Sequence, residues 1–76
     1  MRHYRALLKE ELKENISKGD VIASVNIASL LGINKTKLCN MSGVNPSNYC
    51  KFERGRGCLS ASKQMEILQT IQEVLL

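Results

Sequence analysis

Basic side chains are concentrated in one part of this chain, where they could contact a polyanion. Residues 35–63 contain six Lys or Arg and a single acidic residue, Glu53, so their net charge is +5. The remainder of the chain contains five basic and six acidic residues, a net charge of −1. Such an asymmetry favours a polyanionic partner, most often a nucleic acid. The alternative is a solvated basic face without a partner.

The residue types needed for catalysis or metal binding are sparse. The single histidine, His3, lies far in sequence from Cys39, Cys50 and Cys58, and no Cys-x-x-Cys pair is present. Paired carboxylates occur only on the exposed face of the first predicted helix, and there is no phosphate-binding loop. We therefore expect no enzyme, no metal and no other cofactor. The odd number of cysteines also argues against a disulfide framework.

The length of 76 residues predicts one small domain, residues 1–76, without room for both a core and a deep substrate cleft. The N-terminal stretch is too charged for a signal peptide, and no apolar run approaches the ~18 residues of a membrane span. We therefore expect a soluble, cytoplasmic protein that does not interact with a membrane.

Hydrophobic spacing and capping residues predict an all-α chain, a small bundle of about five helices. The second helix, about 21–31, is apolar almost all round after the capping residue Asp20, so we expect it at the centre of the domain. The predicted segments are an N-terminal amphipathic helix (1–19), the central apolar helix (20–32), two short helices joined by a tight turn (33–55) and a C-terminal helix (59–76).

The first and last helices each have a predicted apolar face. In the first helix, 2–17, apolar residues recur at every fourth position with Leu7 beside them. They are Tyr4, Leu8, Leu12 and Ile16. The predicted apolar face of the last helix consists of Ala61, Met65, Leu68, Ile71 and Leu75. Ile67 and Val74 lie beside this face. We expect the face of the first helix to pack against the domain. The face of the last helix and the Leu75-Leu76 end could form a dimer contact, which binding to a palindromic operator would require.

The stretch GVNPSNYCKFERGRG, residues 43–57, begins with a tight turn. Gly43 follows a helix at a position where a left-handed backbone allows a sharp turn, and only glycine takes this conformation without penalty. Asn45 is a good cap for the next helix, and Pro46 suits its first position, where the missing N–H would be unpaired anyway. Val44 should point into the angle between the two helices.

The helix after this turn is predicted to have two distinct sides. Tyr49 and Phe52, three residues apart, give it a buried face. Polar residues, among them Ser47, Asn48 and Lys51, are left on the other face. Two short helices joined by a tight glycine turn describe a helix-turn-helix, a unit whose second helix enters the major groove of DNA.

The stretch KTKLCNMSGVNPSNYCKFERG resembles the helix-turn-helix of the Cro/CI-type (XRE-like) regulators of bacteria and phages. Leu38 occupies the family's leucine position, and Cys39 occupies the small-residue position where the two helices cross. Gly43-Val44-Asn45 is similar to the family's Gly-Val-Ser, and Phe52-Glu53-Arg54-Gly55 is similar to its final aliphatic-Glu-Arg-Gly. The resemblance covers about residues 33–70 and implies a lambda-repressor-like DNA-binding fold.

Two features depart from that family pattern. Ser42 lies where the family usually has an apolar residue, and the N-terminal helix 2–17 is additional to the minimal fold.

The cysteines fit the pattern better. Cys39 and Cys50 are expected to be small core residues, and Cys58 lies in a loop where it could be exposed.

The resemblance also implies a function and the residues that carry it. It implies a sequence-specific DNA-binding transcriptional regulator, a small Cro-like repressor that binds a palindromic operator in double-stranded DNA as a homodimer. The residues placed at base edges are Pro46, Ser47, Asn48 and Lys51. Phosphate contacts are expected from Lys35 and Lys37 at the start of the third helix and from Arg54 and Arg56 beside Gly55. Glu53 is interpreted as a structural residue that pairs with a nearby cation or accepts hydrogen bonds.

A second position for the helix-turn-helix competes with the first. IASLLGINKTKLCNMS, residues 27–42, is similar to the helix-turn-helix of the LacI-type repressors, with Gly32 in its turn. In this alternative the residues that would contact bases are Lys35, Thr36, Lys37 and Asn40. We favour the later position because it alone explains Asn45-Pro46 and the FERG sequence.

A different class of function is the alternative to DNA binding. Pro46 can offer only apolar contact in the second helix, and the chain ends in the apolar pair Leu75-Leu76. Both features are compatible with a protein-interaction module on the same scaffold, such as an antirepressor, a modulator of a repressor or an antitoxin-like protein. Its partner would be another regulator protein, bound in a 1:1 complex without affinity for DNA.

Overall fold

The computed structural model describes the backbone of residues 2–76 and the side chains from Tyr4 onward. The side chain of His3, the one histidine considered as a metal ligand, lies outside the described residues. Within the described range the chain forms helices and connections and no strand. The helices are α1 (Arg2–Lys18), α2 (Val21–Leu30), α3 (Lys35–Met41), α4 (Pro46–Glu53) and α5 (Ala61–Leu75). The predicted all-α bundle of five helices is therefore confirmed.

Four of these helices begin at a side chain that accepts a hydrogen bond from a backbone N–H of the first turn. Such a cap replaces a bond that the first turn cannot make internally and contributes about 1 kcal/mol. The four caps are Asp20 with the N–H of Ala23 (3.1 Å), Asn34 with Lys37 (2.7 Å), Asn45 with Ser47 (2.8 Å) and Ser60 with Lys63 (3.2 Å), and those at Asp20 and Asn45 were predicted.

The apolar helix α2 lies at the centre, as predicted, and packs against α1, α3 and α5. Its buried residues are Val21, Ser24, Val25, Ile27 and Ala28. Ser24 is satisfied within the helix, because its hydroxyl donates to the carbonyl oxygen of Asp20 at 2.7 Å. Leu30, at the C-terminal end of α2, is 63% exposed.

The predicted apolar face of α1 is buried only from Leu8 onward. Leu8 and Leu12 are buried and Ile16 is half-buried, whereas Tyr4 is 53% exposed and Leu7 is 65% exposed. The reason is length. At about 1.5 Å per residue the 17 residues of α1 extend well beyond the 10 residues of α2, its main packing partner. The expectation that Tyr4 is buried was wrong.

The last helix is rotated relative to the predicted face. Ile67 and Ile71 are fully buried, whereas Met65 is 69% exposed and Ala61 is exposed. This helix has apolar residues around much of its circumference, and packing on α2 and α3 selects the side that carries the two isoleucines. Of the predicted apolar face, Ile71 is therefore buried in the core and Met65 lies at the surface.

Candidate nucleic-acid interface

The turn between α3 and α4 has the geometry that its sequence predicts. Gly43 has a φ of +71°, in the left-handed region. The N–H of Val44 donates to the carbonyl oxygen of Cys39 at 2.8 Å, and the N–H of Gly43 donates to that of Asn40 at 3.3 Å. These two bonds are a Schellman motif. The side chain of Val44 is buried, so it points into the angle between the helices as expected.

The serine that departs from the family pattern is accommodated by a hydrogen bond. Ser42 is buried, and its hydroxyl donates to the carbonyl oxygen of Leu38 one helical turn earlier, at 2.8 Å. A buried hydroxyl without this partner would cost about 1–3 kcal/mol. The polar side chain is therefore compatible with the packed turn.

A lysine from the last helix anchors the same turn. The Lys63 Nζ donates to the carbonyl oxygen of Gly43 at 3.0 Å, so the first turn of α5 is tied to the α3–α4 connection. In the sequence, Lys63 is only one of the six basic residues of the stretch 35–63. Its partner is 20 residues away in sequence, and no local pattern would have revealed it.

Two aromatic residues determine which side of α4 faces outward. Tyr49 is fully buried and Phe52 is half-buried, and their ring centroids lie 6.1 Å apart. Within the described residues the Tyr49 hydroxyl makes no hydrogen bond of good geometry, although it lies near the Glu53 carboxylate. Burial, followed by the negative charge of Glu53, raises the pKa of Tyr49 above its ordinary value. The two rings confirm the predicted inner face.

The two cysteines that were expected in the core differ. Cys39 is buried at the crossing of α3 and α4, and burial, together with the nearby Cys50 and Glu53, raises the pKa of its thiol. Cys50, in contrast, is exposed, so its assignment to the core was wrong. It follows Tyr49 by one residue, or about 100° around the helix, and is therefore turned outward. Cys58 is exposed, as predicted.

The outer face of α4 presents polar groups suited to base edges. Ser47, Asn48 and Lys51 are exposed, and Pro46 is half-buried at the N-terminal end. All four predicted base-contacting residues thus belong to one helix of eight residues, about 12 Å long. The exposed sulfur of Cys50 lies on the same helix.

Three cations are grouped at the C-terminal end of α4. The N–H of Arg54 donates to the carbonyl oxygen of Cys50 at 3.1 Å, and the N–H of Arg56 donates to that of Lys51 at 2.7 Å. The chain then folds back so closely that a Cβ on Gly57 would lie 3.1 Å from the Lys51 Cβ. The exposed side chains of Lys51, Arg54 and Arg56 therefore start from neighbouring backbone.

Lys35 has a partner inside the chain. Its Nζ lies 2.9 Å from the Glu53 Oε1 and 2.8 Å from the Glu53 Oε2, so the first residue of α3 is paired with the last residue of α4. The prediction that Glu53 is structural and pairs with a cation is confirmed. Glu53 is the only acid in the basic segment, and this was the signal for such a pair.

The remaining predicted phosphate contact, Lys37, stands on α3 and is exposed. No ion pair to its side chain is found among the described residues. Because α3 and α4 pack against each other, Lys37 belongs to the same two-helix unit as the cations of α4. It differs from Lys35 in that its charge is not balanced by a neighbouring carboxylate.

The turn at Gly32, which the alternative position uses, has the same hydrogen bonds. The N–H of Ile33 donates to the carbonyl oxygen of Ala28, and that of Gly32 to Ser29, both at 3.1 Å. Gly32 has a φ of +112°. The two turns differ in the helix that follows, because the first lysine of α3 is paired with Glu53.

Comparison with known proteins gives no relative of this chain. A scan against protein-family models found no match, and searches of curated proteins and of solved structures found no significant match. The likeness to Cro/CI-type regulators therefore rests on the motif residues alone. In the described part of the chain, no helix combines the length and the apolar character that crossing a membrane requires.

Proposed function

We propose that this protein is a sequence-specific DNA-binding transcriptional regulator whose helix α4 enters the major groove. The observation that carries the proposal is the outward orientation of Ser47, Asn48 and Lys51 on a helix held by the Gly43 turn. A polar helix face of this size fits the groove, which is about 12 Å wide. The excess positive charge of residues 35–63 supports the same partner.

Each exposed group on α4 has a suitable counterpart on DNA. The Asn48 amide can donate to and accept from adenine, the Lys51 ammonium can donate to the acceptors of guanine, and the Ser47 hydroxyl can pair with several bases. Pro46 can contact only an apolar group such as a thymine methyl. Phosphates would be bound by the exposed cations, which are Lys37, Arg54 and Arg56.

The size of α4 argues for two copies on one operator. A helix about 12 Å long spans about four base pairs at 3.4 Å each, which is too short a sequence to be unique in a genome. A homodimer on a palindrome doubles the sequence that is read. We therefore propose a small Cro-like repressor, of phage or bacterial origin, that works in the cytoplasm and excludes polymerase by occupying its operator.

Selection of bound duplexes from a random DNA library, followed by sequencing, tests this function. We expect an enriched palindrome, with half-sites one helical turn or a multiple of it apart. An Asn48→Ala variant should then relax the preference at one position of each half-site, by about 1–3 kcal/mol. An Asn40→Ala variant is the matched control from the alternative helix and should select the same sequence as the wild type. Absence of any enrichment with folded protein would contradict the proposal.

A protein-interaction module on the same scaffold is the second candidate. It is favoured by the apolar groups that α3 and α4 leave accessible, which are Met41, the half-buried Pro46 and the Cys50 sulfur. In that case the partner would be another regulator protein, and the chain would act as an antirepressor, a modulator of a repressor or an antitoxin-like protein. A 1:1 complex with such a protein, disrupted by Met41→Lys, together with no selected DNA, would support this candidate over the first.

A further inference from the structure

The carbonyl oxygen of Gly43 has no backbone donor from the start of α4. Three residues further on, Pro46 has no N–H to offer. Four residues further on, the N–H of Ser47 donates to the side chain of Asn45 at 2.8 Å instead. The pair Asn45-Pro46, which begins α4, therefore leaves this acceptor to a donor from elsewhere in the chain or to water.

The last helix provides that donor through Lys63. The Lys63 Nζ lies 3.0 Å from the Gly43 oxygen, and within the described residues no other hydrogen bond to this oxygen is found. The lysine starts from a fixed backbone, because its N–H donates to the Ser60 hydroxyl at 3.2 Å. Beside it, the Gln64 side chain donates to the carbonyl oxygen of Leu59 at 2.9 Å. The contact, here called the Lys63 anchor, thus joins a well-held helix start to the turn before α4.

The position of Lys63 within its own helix is electrostatically unfavourable. It is the third residue of α5 and belongs to the first turn, where free N–H groups produce a positive partial charge. This end of a helix favours acidic side chains and disfavours cations. A negatively polarised carbonyl oxygen outside the helix offsets part of that repulsion. The presence of a lysine here is therefore explained by the Gly43 contact and not by the stability of α5.

The Gly32 turn offers a comparison inside the same chain. The N–H groups of Gly32 and Ile33 make the same two backbone bonds as those of Gly43 and Val44. In the part of the chain that the structure describes, however, no side chain donates to the Gly32 carbonyl oxygen, whereas Lys63 donates to that of Gly43. The additional bond is thus found at the turn that precedes the proposed reading helix.

We propose that Lys63 is a positioning residue for DNA recognition. By binding the Gly43 carbonyl oxygen it fixes the orientation of α4 relative to α5, and its charge serves this contact and not a DNA phosphate. The inference rests on the proposed function and deepens it, because Lys63 is one of the six basic residues of 35–63 that could otherwise bind the DNA backbone. Recognition of base edges requires groups held to within about 0.5 Å, so a loose turn weakens the contacts that α4 makes.

The first test measures binding to the palindrome selected from the random library and to an unrelated duplex. Lys63→Met removes the ammonium at an exposed position, so the variant should fold as the wild type does. We expect its affinity for the palindrome to fall about 10-fold or more, the equivalent of one lost base contact. Its affinity for the unrelated duplex should change by less than about 2-fold. Lys9→Met, at an exposed lysine of α1, is the matched control and should bind both duplexes as the wild type does.

Salt dependence distinguishes a positioning residue from a phosphate contact. Lys63→Met should leave the log–log slope of affinity against salt unchanged, whereas Lys37→Met should reduce it by about 0.9 per subunit. A similar reduction for Lys63→Met, or an equal loss of affinity for both duplexes, would overturn the inference, because the ammonium would then act on a phosphate.

Amide hydrogen exchange tests the Lys63 anchor in the absence of DNA. In Lys63→Met the Val44 N–H of the Gly43 turn should exchange about fivefold faster than in the wild type. The Ile33 N–H, which makes the same bond in the Gly32 turn, is the internal control and should exchange at the wild-type rate. An unchanged rate at Val44 would mean that the lysine does not hold the turn, and the inference would be wrong.

These measurements separate failure of this inference from failure of the proposed function. If a palindrome is selected and Lys63→Met changes neither its affinity nor the exchange of Val44, the inference fails and the function stands. If Val44 exchanges faster in the variant but the wild type selects no DNA, the anchor exists, and the proposed function fails together with the role that the inference gives to the anchor. If the palindrome is bound more weakly at an unchanged salt slope and Val44 exchanges faster, both are supported.

Discussion

Residues 34–56 and the pair α1 and α5 are stabilised in different ways. Helices α3 and α4 are only seven and eight residues long, too short to be stable alone. Two asparagine caps, the Gly43 turn, the Lys35–Glu53 ion pair and the Lys63 bond to the turn hold them in place. Helices α1 and α5 have 17 and 15 residues and rely on apolar burial against α2.

This difference in stabilisation affects how each region can contact another molecule. Because directional bonds fix α3 and α4, the outer face of α4 is held in one orientation, as recognition of base edges requires. Because α1 and α5 are placed by non-directional burial, their surplus apolar residues remain at the surface. The following changes test this comparison, from the largest expected effect to the smallest.

Of these changes, removal of the buried Tyr49 ring of α4 should lower the free energy of unfolding most. Tyr49→Ala deletes a fully buried aromatic side chain and should lower the free energy of unfolding by about 3–5 kcal/mol. Tyr4→Ala, at an exposed tyrosine of α1, should change it by less than about 0.5 kcal/mol. Urea unfolding followed by circular dichroism measures both. Equal effects of the two substitutions would mean that α4 is not packed as described.

Alkaline pH should destabilise the fold through two groups of the α3–α4 region. The pKa values of Cys39 and Tyr49 are raised from their ordinary values of 9.0 and 10.0, so in the unfolded chain these groups lose their protons first. Stability should be unaffected by these groups below about pH 9 and then fall with rising pH, by up to about 1.4 kcal/mol per pH unit and group.

Urea unfolding between pH 7 and 11 measures this fall. The matched variant is Tyr49→Phe, which removes a buried hydroxyl that makes no hydrogen bond of good geometry among the described residues. We expect it to be neutral or stabilising at pH 7 and to reduce the loss above pH 10. A loss of stability at pH 7 would indicate that the hydroxyl makes a hydrogen bond in solution.

Two glycines with the same backbone conformation should differ in their effect on DNA binding. Gly43 and Gly19 have φ values of +71° and +73°, and a Cβ at either position would meet no atom closer than 3.8 Å. Each substitution by alanine should therefore cost about 1–2 kcal/mol through backbone strain alone. Thermal unfolding measures this cost. Only Gly43→Ala should also weaken binding to the selected DNA, since only that turn orients α4.

Substitutions of the two lysines of α3 should have different effects, one on folding stability and the other on DNA affinity. Lys35→Met leaves Glu53 without its cation and should cost about 1 kcal/mol of stability, a modest figure because the lysine is 40% exposed. Lys37→Met should leave stability unchanged within about 0.5 kcal/mol. For DNA affinity against salt, Lys37→Met should reduce the log–log slope by about 0.9 per subunit, whereas Lys35→Met should leave it unchanged. A reduced slope for Lys35→Met would mean that DNA displaces Glu53 from the lysine.

Local features of this fold were predictable from the sequence. The caps Asp20, Asn34, Asn45 and Ser60 and the glycine of the Gly43 turn act on backbone groups within three residues. Their side-chain chemistry and spacing therefore contain the information that locates the helix ends. The inner face of α4 was predictable for the same reason, because Tyr49 and Phe52 are its large apolar residues.

The candidate interface was predictable only in outline. The exposure of Ser47, Asn48 and Lys51 follows from the position of the aromatic residues on the same helix. The partner of Lys35 does not, because Glu53 is 18 residues away and on another helix. Cys50 was assigned to the core by analogy with a small residue, although its angular position next to Tyr49 turns it outward.

The sequence by itself determined where each helix begins, where the chain turns and which part carries the positive charge, because these depend on a residue and its near neighbours. Tertiary structure alone decided the rotation of α5, the exposure of Met65 and the Lys63 contact to the turn. Helix α5 has apolar residues on more than one side, and only the positions of α2 and α3 decide which side is buried. Whether a side chain is buried depends on which part of its helix the neighbouring helices cover, so burial is decided only when the helices have packed together.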